Sequence, residues 1–130
     1  MRREVFEGRE GFLTVGEAPG VTAQRNEHIT DPGNGELDML FLFEHVDFDC
    51  EGTKWKPLPL DLPKFKSIMA GYQTAVQNAG WASLFTGNHD QPRVVSRWGD
   101  DSAEESRVRS AKALGRDAAH APRHPVHLSG

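Results

Sequence analysis

The sequence predicts an α/β domain with parallel strands, and three features of its 130 residues carry this prediction. Apolar runs typical of strands occur at residues 12–15, 37–43 and 81–85, and polar residues follow each run at once. Within the second run, residues 39–43 are all apolar without alternation, which indicates a strand buried on both faces of a parallel sheet. Helical patterns follow the second and third runs, so the order is strand, loop, strand, helix, strand, helix.

Composition and charge limit the classes of function. The formal net charge is −4 and the isoelectric point is near 5.8, whereas a nucleic-acid surface needs a basic stripe. Mean hydropathy is −0.58, no apolar run approaches the roughly 20 residues of a membrane span, and the start lacks a signal-peptide core. The single cysteine, Cys50, has no partner for an internal disulfide. We therefore expect a soluble, cytoplasmic protein of one modest domain that binds neither nucleic acid nor membrane.

A carboxylate follows the first predicted strand. Residues 12–15 form a β-branched and aromatic run that Gly16 ends; Glu17 comes next, and Pro19 with Gly20 indicates a turn. A carboxylate at the end of a buried strand is either an acid–base group or a cap for a following helix, and capping is the commoner role. Both interpretations of Glu17 are open at this point.

The second predicted strand, residues 37–43, also ends in polar residues. It follows residues 21–36, which contain the turn sequence Asp31-Pro-Gly-Asn-Gly35 and are interpreted as a loop. Glu44 and His45 come directly after the strand, and this pair invites a metal-binding interpretation. Adjacent strand residues point to opposite faces, however, so we expect no metal there.

An amphipathic helix is predicted between the second and third strands. Asp61 is its expected N-cap, Pro63 lies in its first turn and Gly80 is the expected stop. Its apolar residues recur at steps of three and four, which predicts one face packed against a sheet and no cofactor role. The stripe consists of Leu62, Phe65, Ile68, Met69, Tyr72, Val76 and Ala79.

The third strand, residues 81–85, leads into a dense polar cluster. Its members are Asn88, His89, Asp90, Gln91 and Arg93. Such residues also make ordinary turns, but side chains at the carboxyl ends of parallel strands converge on one edge of a sheet, where Glu17 is expected as well. A loop is predicted over residues 94–101. A capping box formed by Ser102 and Glu105 then predicts a helix that ends near Leu114.

Three motifs in these segments resemble those of one enzyme family. They are Thr14-Val-Gly-Glu-Ala-Pro-Gly-Val-Thr22, Phe41-Leu-Phe-Glu-His-Val-Asp47 and Asn88-His-Asp-Gln-Pro-Arg-Val-Val-Ser-Arg97. In order and spacing, from about Arg3 to Leu114, they are similar to the α-glucosidase and oligo-1,6-glucosidase branch of the α-amylase superfamily, glycoside hydrolase family 13. The resemblance implies a partial (β/α)8 TIM barrel comprising strands five to seven, with its site at the carboxyl ends of the strands.

The resemblance also implies residue roles. Glu17 matches the general acid/base, Asp90 the carboxylate that stabilises the transition state, and His89 a histidine that contacts the sugar. Gln91 and Arg93 match positions expected at the substrate-binding rim. Retaining hydrolysis needs one carboxyl that protonates the leaving oxygen and a second that attacks the anomeric carbon. The substrate would be a small α-glucoside oligosaccharide, with no cofactor and no metal, and the oligomeric state is left open.

The sequence departs from the family pattern in one catalytic group. The family nucleophile is an aspartate on the fourth strand, in a Gly-Phe-Arg-x-Asp motif that this sequence lacks. We therefore expect a fragment of a retaining α-glucosidase that is inactive alone. The alternatives are a sugar-binding module that uses His89, Asp90 and Trp98, or the product of a truncated or frameshifted gene. The resemblance does not distinguish α-1,4 from α-1,6 bonds, or hydrolysis from transglycosylation.

The second departure is the carboxyl-terminal tail, residues 115–130, which we interpret as separate from the barrel fragment at residues 1–114. His120, His124 and His127 resemble a metal cluster, and the prolines of the tail would break a helix. From Asp117 onward, however, the tail can be back-translated so that reading one base later gives MLHMHRGTPSIYQG, which resembles the next helix and eighth-strand motif of the family. We therefore predict an irregular, out-of-frame tail whose histidines bind no metal.

Overall fold

The computed structural model describes residues 5, 6, 8, 9, 11–33, 35–75 and 81–120. These residues form short parallel strands separated by helices. In chain order the elements are β1 (Val15–Glu17), α1 (Ala23–Ile29), β2 (Met39–Phe41), α2 (Glu44–Asp47), α3 (Leu62–Ala75), β3 (Ala82–Ser83), α4 (Val94–Trp98) and α5 (Glu104–His120).

The strands form one sheet in the order β1-β2-β3, and both pairs are parallel. Val15 pairs with Met39, and Leu40 pairs with Ala82. Met39 and Leu40 are buried, as expected for a central strand covered on both faces. The predicted parallel α/β arrangement is confirmed, and the carboxyl ends of all three strands lie at the same edge of the sheet.

The first strand begins later than predicted, because the Asp38 side chain binds the Thr14 backbone N–H, although the Thr14 carbonyl still accepts from the Met39 N–H at 3.1 Å. One oxygen of the Asp38 carboxylate accepts from the Thr14 backbone N–H at 2.8 Å and from the Thr14 hydroxyl at 2.7 Å. Phe12 and Leu13, interpreted as buried strand residues, are exposed. The ladder therefore runs from Val15 to Glu17, so the strand contains the carboxylate that was expected to follow it.

Two helices occur where loops were predicted. The hydroxyl of Thr22 caps α1 by accepting from the Arg25 N–H at 3.4 Å, within the stretch assigned to a loop because of its later turn sequence. Helix α4 lies in the predicted loop after Arg93. Helices of seven and five residues offer too few positions for their periodicity to be read from sequence.

The starts and ends of the two longer helices differ in how well they were predicted. The Asp61 cap of α3 is confirmed, since Oδ1 of Asp61 accepts from the Lys64 N–H at 3.0 Å. The predicted stop at Gly80 lies outside the described residues. The capping box before α5 is wrong, because the Ser102 hydroxyl donates to Asp100 at 2.6 Å. Helix α5 continues to His120, past the predicted end near Leu114, because no proline interrupts it before that point. Tail residues 121–130 lie outside the described residues.

The chain divides into two compact units. The first comprises residues within 1–44 and 67–83, and the second comprises residues within 45–66 and 84–130. The first unit contains the sheet and α1, and its buried residues include Leu42 and Tyr72. The second contains α4, α5 and residues 45–47 of α2, with Val46 and Leu84 among its buried residues. Of the predicted apolar stripe on α3, Tyr72 is buried whereas Leu62 is exposed.

None of the helices in the described ranges combines the length and the apolar composition needed to cross a membrane.

Candidate active site

Glu17 is the last residue of β1, and its side chain is exposed. The strand that carries it packs closely on β2, because a Cβ built on Gly16 would lie 2.5 Å from a methyl carbon of Leu37 and 2.7 Å from one of Leu40. Beyond the strand, the Ala18 N–H donates to the Phe41 carbonyl at 3.4 Å. The carboxylate therefore projects from a short strand whose backbone is fixed on both sides of it, as an acid–base group requires.

His89 and Asp90 lie in a tight turn after β3. The Asn88 side-chain oxygen accepts from the Asp90 N–H at 2.9 Å, and the Asn88 carbonyl accepts from the Gln91 N–H at 3.3 Å. Nε2 of His89 lies 3.2 Å from a carboxylate oxygen of Asp90. Both side chains are largely exposed, 85% for His89 and 58% for Asp90. The turn therefore presents an imidazole and a carboxylate together to solvent, and it is built by the asparagine side chain.

Gln91 and Arg93 differ in placement. Gln91 is buried, and its side-chain oxygen accepts from Nη1 of Arg97 at 3.0 Å. Arg93 is exposed and precedes the first residue of α4. The described contact of Gln91 is thus with another protein side chain, whereas the substrate-binding roles expected for Gln91 and Arg93 stay predictions.

A buried ion pair that the sequence analysis did not single out underlies this turn. Arg97 donates from Nε to Oδ2 of Asp49 at 2.9 Å, and its Nη2 donates to Oδ1 of Asp49 and to the Val46 carbonyl. Both side chains are essentially inaccessible to solvent. Removing one partner of a buried pair costs about 3–5 kcal/mol, since the remaining charge is left uncompensated. This pair is therefore part of the fold of the second unit.

The electrostatics of Asp49 follow from these partners. Burial alone would raise the pKa of Asp49, but the hydrogen bonds from Arg97 and from the Trp98 indole outweigh it and hold the pKa below its ordinary value. The indole N–H donates to Oδ2 at 2.8 Å. Burial raises the pKa of the neighbouring Cys50 thiol. The second unit thus contains an ionised aspartate that accepts hydrogen bonds from Arg97 and from Trp98.

Trp98 is occupied by these structural contacts. Its ring packs edge-on against Phe65 with centroids 5.2 Å apart and tilts against Phe48 at 6.3 Å. With its N–H donated to Asp49 and its ring packed against two phenylalanines, Trp98 has a structural role in the second unit. The sugar contact that the binding-module alternative assigns to Trp98 stays a prediction.

A metal site at Glu44 and His45 was not expected, on the assumption that the two side chains point to opposite faces of a strand. They lie instead in α2, where Glu44 is exposed and His45 is fully buried. Nε2 of His45 is 2.5 Å from the Phe85 carbonyl, so this nitrogen carries the hydrogen. Burial, which the hydrogen bond to Phe85 opposes and the charge of Arg97 reinforces, lowers the pKa of His45 to about 4. The imidazole is therefore neutral at physiological pH.

The part of the chain that the structure describes contains no cluster of side chains suited to bind a metal ion. No group of three or more histidine, cysteine, aspartate or glutamate side chains is placed there to hold an ion. Of the tail histidines, His124 and His127 lie outside the described residues, and the side chain of His120 is likewise not described.

The residues missed by the sequence analysis carried only a weak signal. Arg97 lies between Ser96 and Trp98, and Asp49 lies between Phe48 and Cys50, in stretches that contain other charged residues. Charged residues are rarely buried unless they are paired, but nothing in these stretches marks Asp49 or Arg97 as buried. Sequence alone does not tell which aspartate meets which arginine.

Comparison with known proteins identifies the family. The profile of the α-amylase catalytic domain matches residues 1–126. The chain belongs to this family. The α-amylase family resemblance seen in the motifs is therefore confirmed, and the family and the relatives of the chain are glycoside hydrolases.

Individual relatives agree with the family. The chain is 47% identical over 115 residues to oligo-1,6-glucosidase of Parageobacillus thermoglucosidasius, which covers 88% of this chain and 20% of that protein. The structure of Bacillus licheniformis trehalose-6-phosphate hydrolase superimposes with a TM-score of 0.68 at 43% identity, over 78% of this chain and 18% of that one. Isomaltulose synthase from Klebsiella sp. LX3 superimposes with a TM-score of 0.78 at 33% identity, over 87% and 20%.

These matches also show how much of a family member is present. The chain spans about a fifth of the length of the curated relatives it matches. Its structural neighbours are TIM-barrel enzymes of the α-amylase family, and the described part of the chain contributes three adjacent parallel strands. A complete barrel has eight strands and roughly 250 residues.

Proposed function

We propose that this chain is the segment of a retaining α-glucosidase that supplies the general acid/base, Glu17, and the transition-state stabiliser, Asp90. The substrates would be small oligosaccharides with terminal α-glucosidic bonds. The observation that carries the proposal is the parallel order β1-β2-β3, with Glu17 ending β1 and the exposed His89–Asp90 turn following β3. In barrel enzymes, catalytic groups come from such strand ends.

The chemistry assigned to Glu17 is proton transfer to the leaving oxygen and, after water enters, proton removal from that water. An exposed side chain on a fixed strand end can reach a substrate, since its backbone is held by β2 and by the Ala18–Phe41 hydrogen bond. A general acid or base of this kind contributes about 10²–10⁴-fold in rate.

The chemistry assigned to Asp90 is electrostatic. Positive charge develops on the sugar ring as the glycosidic bond breaks, so a fixed carboxylate beside the ring lowers the barrier. The proximity of Nε2 of His89 to Asp90 lets the pair contact adjacent hydroxyl groups of one sugar.

The nucleophile would come from a preceding strand of the barrel, which the motif pattern of the family places before β1. On this proposal, the chain alone does not form the covalent intermediate and is inactive. Exposed apolar residues beside β1 support a larger sheet, because Phe12, Leu13 and Val15 are 39%, 57% and 45% exposed and a neighbouring strand would cover them.

The direct test is a segment exchange. Residues 3–114 of this chain replace the matching segment of the Parageobacillus thermoglucosidasius oligo-1,6-glucosidase, giving what we call the exchange enzyme. We expect hydrolysis of isomaltose and of p-nitrophenyl α-glucoside by the exchange enzyme and none by the 130-residue chain alone. The matched control is Glu17→Gln, which keeps the shape of the side chain but cannot transfer a proton.

The outcomes separate the alternatives. Activity that the Glu17→Gln control loses supports the proposal. An exchange enzyme that folds, as judged by its melting temperature and circular dichroism, but hydrolyses neither substrate contradicts it.

A further inference from the structure

The turn that carries His89 and Asp90 is attached to the second unit at both of its ends. On the amino-terminal side, the Phe85 carbonyl accepts a hydrogen bond from Nε2 of His45. On the carboxyl-terminal side, the Gln91 side chain accepts from Arg97. Residues 86–90 lie between these two attachments and contain the exposed imidazole and carboxylate.

One attachment comes directly from residues 45–49, and the other comes from Arg97, which the same segment binds. His45 begins it, and its ring also packs edge-on against Phe85 with centroids 5.1 Å apart. Asp49 ends it and holds Arg97, while the Val46 carbonyl between them accepts from the same guanidinium. Because these contacts are buried, water does not compete for their hydrogen bonds. The contacts therefore hold Phe85 and Gln91 at a fixed distance from each other.

We propose that residues 45–49, acting with Arg97, form a clamp that positions the His89–Asp90 turn for catalysis. His45, Asp49, Gln91 and Arg97 are positioning residues on this assignment, since none of them needs to touch the sugar. The inference rests on the proposed function, because it assumes that Asp90 acts on the transition state.

The clamp explains a feature that the catalytic roles alone do not. The His89 and Asp90 side chains project into solvent with few contacts of their own, yet transition-state stabilisation requires a carboxylate held within about 0.5 Å. The internal hydrogen bonds of the turn fix its shape, but they do not attach it to the rest of the unit. The attachments at Phe85 and Gln91 supply that connection.

The test uses Gln91, because removing Asp49 or Arg97 would leave a buried charge uncompensated. In the exchange enzyme, Gln91→Met keeps the length of the side chain but removes the acceptor that faces Arg97. We expect Gln91→Met to lower kcat for isomaltose about 10- to 100-fold, since small misplacement of a catalytic group has effects of this size.

A double-mutant cycle distinguishes positioning from a general effect on stability. If Gln91 acts through Asp90, Gln91→Met should lower kcat less than about threefold when Asp90 is already replaced by Asn. In a Glu17→Ala background, Gln91→Met should lower kcat by the same factor as in the parent. A purely structural role would give the same cost in every background and would follow the melting temperature.

A variant pair examines the other attachment. His45→Gln keeps an N–H that can reach the Phe85 carbonyl, and His45→Leu removes it. The clamp predicts that only His45→Leu lowers kcat, again without further cost in Asp90→Asn. Equal costs in all backgrounds, or no loss in Gln91→Met and His45→Leu, would overturn the clamp. If Asp90→Asn itself leaves kcat unchanged, the proposed function fails and the clamp fails with it.

Discussion

At the scale of single residues, the structure separates polar groups that face solvent from polar groups that are buried. Glu17, His89 and Asp90 are exposed, whereas Gln91, His45 and the ion pair of the second unit are buried. From the sequence, Gln91 was expected to face the substrate, because a motif does not show which of its polar residues are buried. Only the packing shows that this amide meets an arginine, since the partner lies in the helix that was interpreted as a loop.

One residue-scale prediction concerns Gly35. A Cβ there would lie 2.4 Å from the Asp31 carbonyl oxygen and 2.6 Å from the Ile29 carbonyl oxygen, and backbone atoms cannot move aside cheaply. We expect Gly35→Ala to lower the free energy of unfolding by about 2 kcal/mol or more. Urea unfolding followed by tryptophan fluorescence measures the change.

The matched control for this prediction is Gly33→Ala in the same turn. Its Cβ would meet only a side-chain oxygen of Asp31 at 3.4 Å, so we expect a change within about 0.5 kcal/mol. Equal changes in the free energy of unfolding for the two substitutions would contradict the prediction, because they would show that the backbone contacts at Gly35 do not exclude a side chain.

A second residue-scale prediction concerns His45 and acid. Because burial lowers the pKa of His45 from 6.5 to about 4, the unfolded chain binds this proton more readily than the folded one does. The contribution of neutral His45 to the free energy of unfolding is therefore fully present above pH 6.5 and is lost as the pH falls towards 4. This contribution amounts to about 3 kcal/mol. Urea unfolding at a series of pH values measures the loss.

His45→Gln is the control for the acid prediction, since it keeps a donor for the Phe85 carbonyl and does not titrate. Burial also raises the pKa of Asp47, which acts in the opposite direction, but this contribution is common to both proteins. The difference between the two unfolding curves should therefore fall between pH 6.5 and 4. Parallel curves over that range would contradict a buried neutral His45.

At the scale of elements, hydrophobic runs predicted the existence of strands better than their bounds. All three runs contain or adjoin a strand, and the parallel pairing is confirmed, because a fully apolar central run leaves few other arrangements. The first strand shifted towards Glu17 because the Asp38 side chain binds Thr14. A contact between residues this far apart in the chain leaves no local pattern.

Helices were predicted only where the segment was long enough to show apolar residues recurring at helical spacing. The start of α3 followed from Asp61, but α1, α2 and α4 are short and were missed. The omission had a consequence for the site, because α2 and α4 carry His45 and Arg97. The catalytic assignments thus came from motifs, whereas the clamp became visible only once these short helices were placed.

At the scale of the whole molecule, the proposed function makes the chain one part of a larger catalytic site. Its relatives are about five times as long, and the described strands form three neighbours of one parallel sheet. Two of the three carboxylates of the proposed mechanism are in this sequence. On the proposal, the third belongs to a motif that this sequence lacks, so we expect activity only from a completed barrel.

The central claim is that Glu17 protonates the leaving group, and dependence on the leaving group tests it most directly. In the exchange enzyme, kcat/KM of Glu17→Ala is measured for isomaltose and for α-glucosyl fluoride, whose fluoride leaves without protonation. We predict a loss of about 10²–10⁴-fold for isomaltose and less than about tenfold for the fluoride. Equal losses for both substrates, or no loss for isomaltose, would contradict the account.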